Sequence, residues 1–175
     1  MWHRARGLPL PRILAAELML IGLGSGLFHT LATRWAALAD VLPILGFILT
    51  YVLAANRLVL GWRWGPATLG ALGFIPFAAA AGAVFAAIPP FQPSAAYWPV
   101  PLLIAIYAAA LRRRAPSVTR GFALGALLLI FSLTFRSLDA PLCAVLPFGT
   151  HFLWHLLNAA MLGWMIEVLI RHCLA

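Results

Sequence analysis

The chain has 175 residues, 64% of them hydrophobic and 9% charged, and a formal net charge of +8, with a mean hydropathy of +0.99. That much apolar surface exceeds what one water-soluble core of this size hides, so a soluble globular domain is excluded and the bilayer is the expected solvent. All twelve basic residues are arginines at the ends of apolar runs instead of in a stripe interleaved with aromatics, which argues against a nucleic-acid partner.

A window of about 20 residues, the length that crosses about 30 Å of hydrocarbon, gives six candidate spans at 13–33, 37–57, 66–88, 95–111, 119–138 and 149–171. The expected fold is all-α, a polytopic transmembrane helical bundle forming a single domain over 1–175. The first run follows Arg4, Arg6 and Arg12, is too long for a signal-peptide h-region and lacks a small-residue cleavage site. Pro76 is expected to kink the third span, whose Ala/Gly-rich sequence suits close helix packing. The fourth is short and carries Pro99 and Pro101 in its first turns, where proline suits a helix start. Short links such as ATRWA, GWRWGP and RRRAPS make sequential helices antiparallel neighbours. Cys143 and Cys173 have no CxxC spacing, so neither a disulfide framework nor a thiolate metal site is implied.

Ten of the twelve arginines fall on one side of these spans, and only Arg34 and Arg136 on the other. By the positive-inside rule both termini are cytoplasmic and the loops near 34, 92 and 143 face outward. Trp35 and Trp98 at outer ends, and Trp62 and Trp64 at an inner end, fit interfacial anchoring.

On this topology Ser25, His29, Asp40, Asp139, His151 and His155 all fall near the outer ends of their spans. Residues four apart share a helix face, so Ser25 points with His29, and His151 with His155, a face that Asn158 continues. Turned toward each other, these faces would assemble three imidazoles, one carboxylate and one hydroxyl. Three imidazoles plus an open position let Zn²⁺ hold a water, lower its pKa to about 7 and polarise a carbonyl. A neighbouring carboxylate can act as general base and a hydroxyl can steady the oxyanion, which is hydrolytic chemistry. Asp139 reads either as a partner of Arg136, three residues earlier, or as the group that orients a ligand histidine. Glu17 lacks an obvious partner, Glu167 is expected to pair with Arg171, and His3, His172 and Cys173 read as solvated ends.

The strings GLGSGLFHTLATRWAALADVLPI and LDAPLCAVLPFGTHFLWHLLNA, roughly a quarter of the chain, carry Ser-x-x-x-His, then Asp before Leu-Pro, then Asp-x-x-x-Cys, then His-x-x-x-His. That ordered set resembles the alkaline ceramidase family of the wider CREST membrane-hydrolase superfamily. The resemblance implies zinc on His29, His151 and His155, with Asp40 and Ser25 serving the zinc water and the tetrahedral intermediate. It implies cleavage of the amide of ceramide, or of a related long-chain N-acyl lipid, to fatty acid and amine. Family members have seven spans and an acidic calcium-binding segment before the first. This chain opens where the second span would, so a six-span branch or a start internal to a longer gene is expected, and no calcium site is implied. The expected setting is a bacterial inner membrane with the site toward the periplasm. The competing class is a non-catalytic lipid-binding or receptor-like membrane protein that keeps zinc for structure.

Overall fold

The structure is a computed structural model that describes residues 3–175. It is all-α: α1 (Pro9–Leu31), α2 (Arg34–Ala54), α3 (Trp64–Leu72), α4 (Phe74–Ala86), α5 (Pro99–Leu111), α6 (Pro116–Leu142) and α7 (His151–Leu174). A π-helix, Ala55–Val59, continues α2, and a 3₁₀ helix, Pro89–Ser94, precedes α5. Among the described residues, five stretches are long and apolar enough to cross a membrane: Pro9–Leu31, Arg34–Val59, Trp64–Ala86, Pro116–Leu142 and His151–Leu174. The protein is a multi-pass integral-membrane protein, and leucines such as Leu20, Leu23, Leu38 and Leu69 lie exposed on these helices, where lipid is the solvent that suits them.

Five of the six expected spans are thus long enough to cross, and the fourth, 95–111, is a shorter apolar helix of 13 residues. Its N-terminal side is taken up by the proline-rich 3₁₀ helix PPFQPS, in which three prolines withhold backbone donors. The third span breaks as Pro76 requires. α3 ends at Leu72, whose carbonyl has no N–H at position 76 to meet it, and α4 starts after Gly73. The same span is the least buried of the five, and its close packing is confined to α3, where Ala67 and Ala71 are buried and a Cβ at Gly70 would stand 2.7 Å from Asn56 Nδ2.

The chain divides into two compact units, one comprising Met1–Phe74 with Leu169–Ala175 and the other Ile75–Val168. In the first, α1 begins with prolines and stops at Ala32, whose left-handed backbone (φ 49°) lets its N–H meet the Phe28 carbonyl. One extended residue, Thr33, then starts α2, making α1 and α2 an antiparallel hairpin. Glu17 finds a partner in it, since the Thr50 hydroxyl donates to Oε1 at 2.9 Å. Asn56 is fully buried and its Nδ2 donates to the Ala67 carbonyl at 3.2 Å, tying α2 to α3. His172, expected to be a solvated end, is half-buried and its Nε2 donates to the Leu58 carbonyl at 3.3 Å.

In the second unit, close packing falls on Gly121 and Gly125 of α6. A Cβ at Gly121 would stand 2.6 Å from Val168 Cγ2, and one at Gly125 would overlap Met165 Sδ. This four-residue spacing of glycines is the membrane solution for bringing two helices together. Trp164 Nε1 donates to the Gly121 carbonyl at 2.8 Å, and the buried Ser132 hydroxyl donates to the Trp154 carbonyl at 2.9 Å.

Val145 is 77% exposed while Ser94 is buried to 1%, so Val145 and Arg34 are the positions at which to probe sidedness. In a background lacking Cys143 and Cys173, single cysteines at Arg34 and Val145 are expected to react with a membrane-impermeant thiol reagent in intact cells, and one at Arg113 only after lysis. Labelling of Arg113 alone before lysis would invert the orientation that the arginine distribution implies.

Candidate metal centre

Ser25, His29 and Asp40 belong to the first unit, and Asp139, His151 and His155 to the second. Within the first, Ser25 and His29 do meet, through the Ser25 main chain. His29 Nδ1 is 2.9 Å from the Ser25 carbonyl oxygen, which as acceptor places the ring proton on Nδ1 and leaves the Nε2 lone pair for a metal. His29 is exposed and Ser25 half-buried. Asp40 is half-buried, in the second turn of α2.

What sets Asp40 beside this turn of α1 is a pair of residues not counted among the expected site residues. A Cβ at Gly24 would overlap the Ala39 carbonyl and stand 3.1 Å from the Asp40 nitrogen, so α1 approaches the α2 backbone there with only a Cα between. The Ala39 carbonyl faces outward for a reason: its i+4 partner is Pro43, inside α2, which has no N–H to offer. A carbonyl so released gains from a Cα–H contact across the helix interface.

In the second unit the site is organised by Asp139. Its Oδ1 accepts the N–H of Thr150 at 2.6 Å and of His151 at 2.9 Å, capping the start of α7, where a carboxylate also opposes the positive end of the helix dipole. Its Oδ2 lies 3.9 Å from His151 Nδ1. Of the two readings that the sequence leaves open, a contact with His151 is the one the geometry matches, and it is made through the His151 backbone N–H. Arg136 turns elsewhere: Nη1 donates to the Pro93 carbonyl at 2.7 Å and to Ser94 Oγ at 3.0 Å, and the guanidinium lies over Tyr97 and Trp154. Gly149 adopts φ 61°, and a Cβ there would overlap Asp139 Oδ1. Thr150 completes the turn by donating its hydroxyl to the Phe135 carbonyl at 2.7 Å.

The rings of His151 and His155 stand 4.9 Å apart, edge to face at 68°, and each offers a nitrogen within 4.8 Å of one on the other. A modest ring rotation brings such a pair onto one ion at Zn–N bonds of about 2.0–2.1 Å. His155 Nε2 is shielded from solvent. Cys143 is exposed, and its backbone N–H bonds the Asp139 carbonyl at 3.0 Å. Thus Asp139, Thr150, Gly149 and Gly24 support the histidines and Asp40. The middle glycine of GLGSG, Gly24, and the Gly two residues before His151 are the sequence traces of that support.

In comparisons with known proteins, no family model, no curated protein and no solved structure matches the chain.

Gly22 and Gly24 offer a matched test, since a Cβ at Gly22 meets nothing within 4 Å. Gly22→Ala is expected to leave stability unchanged or raise it by up to about 1 kcal/mol, the usual preference for Ala in a helix. Gly24→Ala is expected to lower it by about 1–3 kcal/mol, the range for overpacking. Thermal unfolding of the two variants reads the difference, and equal midpoints would contradict the contact.

Proposed function

We propose that the protein is a zinc-dependent membrane amidase that hydrolyses ceramide or a related long-chain N-acyl lipid, and that it is a relative of the alkaline ceramidases. The observation that carries this reading is the donor set. His151 and His155 each offer a nitrogen within 4.8 Å of one on the other, and His29 turns Nδ1 toward the Ser25 carbonyl, the arrangement that orients a ligand imidazole; in this proposal all three hold one ion. The exposed apolar faces of the helices supply a second support, since a substrate dissolved in the bilayer meets them first.

A zinc ion, when bound by three imidazoles, polarises a carbonyl and acidifies water. In this proposal Asp40 accepts the proton of the attacking water and passes it to the departing amine nitrogen, while the Ser25 hydroxyl donates to the oxygen that becomes negative. The products are a fatty acid and an amine. The arginine distribution supports a site that opens toward the outer face, in a bacterial inner membrane with cytoplasmic termini, an arrangement in which the short apolar helix α5 makes the sixth crossing.

The purified protein is expected to carry about one zinc per chain, and His29→Ala, His151→Ala and His155→Ala are each expected to remove most of it, as loss of one ligand breaks the usual four-coordinate shell. Full metal occupancy in all three variants, measured by elemental analysis, would end the metal reading. Asp40→Asn is expected to keep the zinc yet slow fatty-acid release from N-acyl lipids by about 10²–10⁴-fold, the worth of general base catalysis. Unchanged turnover in that variant would take Asp40 out of the mechanism, and absence of turnover in the zinc-loaded wild type would favour the receptor-like class.

A further inference from the structure

The other end of α2 carries a second constellation. Arg57 follows Asp40 by 17 residues, about 25 Å of helical rise. There the π-helix Ala55–Val59 closes with the Leu60 N–H on the Ala55 carbonyl at 3.0 Å, and the chain reverses through Gly61 at φ 72°. The helix α3 then starts with Arg63 as its N-cap. An open pocket of about 650 Å³ lies in this turn, lined by Arg57, Gly61, Arg63, Trp64, Gly65 and Pro66. No carboxylate is among them.

The turn is held from behind. Trp62 N–H meets the Asn56 carbonyl at 3.0 Å, Asn56 Nδ2 meets the Ala67 carbonyl, and His172 meets the Leu58 carbonyl. Arg57 is held too, its guanidinium 5.4 Å from the centre of the Trp64 ring, a cation–π arrangement that fixes the plane of the fork. Its donors are poorly used by the protein. Nη1 reaches the Trp62 carbonyl only at 3.4 Å, and the Nε–H is shielded from water with no acceptor among the described residues. A charged donor in that state is costly, and an anion relieves it. Arg63 adds a second, exposed cation. The α3 backbone ladder begins only with the Ala67 N–H on the Arg63 carbonyl at 3.0 Å, so the Trp64 and Gly65 N–H groups precede it and add donors of their own.

We infer that this pocket binds a phosphate group, gripped by the fixed fork of Arg57 and neutralised by Arg63, with the first N–H groups of α3 behind it. The phosphate of an anionic lipid is the favoured source. Trp62 and Trp64 are 42% and 56% exposed at the end of apolar helices, which is the environment of indoles at headgroup level, and the pocket opens beside them. This site is independent of the histidines, and neither depends on the other's chemistry.

The test uses the full-length protein in detergent, with phosphatidylglycerol, phosphatidylcholine and inorganic phosphate as probes, read by native mass spectrometry and by the thermal unfolding midpoint. Phosphatidylglycerol is expected to bind one per chain and to raise the midpoint more than phosphatidylcholine, whose ammonium the arginines repel. Arg63→Gln and Arg57→Lys are each expected to weaken phosphatidylglycerol binding about 10- to 100-fold, the worth of a charge-assisted hydrogen bond. Arg57→Lys keeps the charge and loses the fork; circular dichroism confirms that both variants remain folded. Competition by inorganic phosphate, or protection by it alone, would support the same pocket with free phosphate as occupant. A wild type that prefers neither phosphatidylglycerol nor phosphate, or a preference that survives both substitutions, would overturn the inference, whatever the zinc and hydrolysis measurements show.

Discussion

A polar group surrounded by hydrocarbon has no water to fall back on, so it must be met by the protein, and this constraint accounts for most of the specific contacts in the structure. Hydroxyls on the helices turn back on their own backbone. Thr30 meets the Gly26 carbonyl, Thr68 that of Trp64 and Thr134 that of Ile130, each four residues away. The polar side chains that cross between helices are then the ones that fix which helices pair: Thr50 with Glu17, Asn56 with Ala67, and Ser132 with Trp154. Apolar contact with lipid is not lost when two such helices separate, so these bonds and the close approaches at glycine carry a share of the specificity that a soluble core would assign to burial.

The same constraint gives the prolines their positions. Each proline inside a helix leaves the carbonyl four residues earlier without its N–H, and the structure deals with each in a different way. At Pro76 the helix gives way, with α3 ending at Leu72. At Pro43 the helix continues and the released Ala39 carbonyl faces Gly24 across the hairpin, which sets the register of α1 on α2. Asp40 is the next residue, so its position next to the Ser25 and His29 turn follows from a backbone defect and not from a side-chain bond.

Hydropathy made the long helices legible, because crossing hydrocarbon demands length and apolarity and little else. It was least exact at 95–111, where an apolar helix forms but the prolines before it divert the chain into a 3₁₀ turn and leave the helix short, and it said nothing of the π-helix at Ala55–Val59. The site was half legible for a similar reason. Spacing of four residues reveals that Ser25 accompanies His29 and that His151 accompanies His155, since helical periodicity is local. The role of Asp139 depends on how the 143–150 loop returns to place the Thr150 and His151 N–H groups on its carboxylate, a long-range closure that no spacing rule contains. The expected Arg136–Asp139 pairing was the local alternative. It loses because Arg136 finds the Pro93 carbonyl and two aromatic faces instead, and a cation in a low-dielectric setting goes where donors and ring faces are met together.

The helix α2 with its π-helical extension thus joins two chemistries. Near its N-terminus Asp40 stands beside the Ser25 and His29 turn, and near its C-terminus Arg57 stands over Trp64. The roughly 25 Å of rise between them approaches the thickness of the hydrocarbon core, so one end lies near one headgroup layer when the other lies near the opposite layer. A rigid rod with a phosphate-binding turn at one interface resists being pulled deeper or tilted out of register, because either motion would drag two arginines into hydrocarbon. Under the proposed amidase function, depth is what the protein would have to hold constant, since the amide of a bilayer lipid sits a fixed distance below the headgroup. Anchoring α2 by its arginine end would then control where Asp40 stands relative to that amide, without any contact between the two sites.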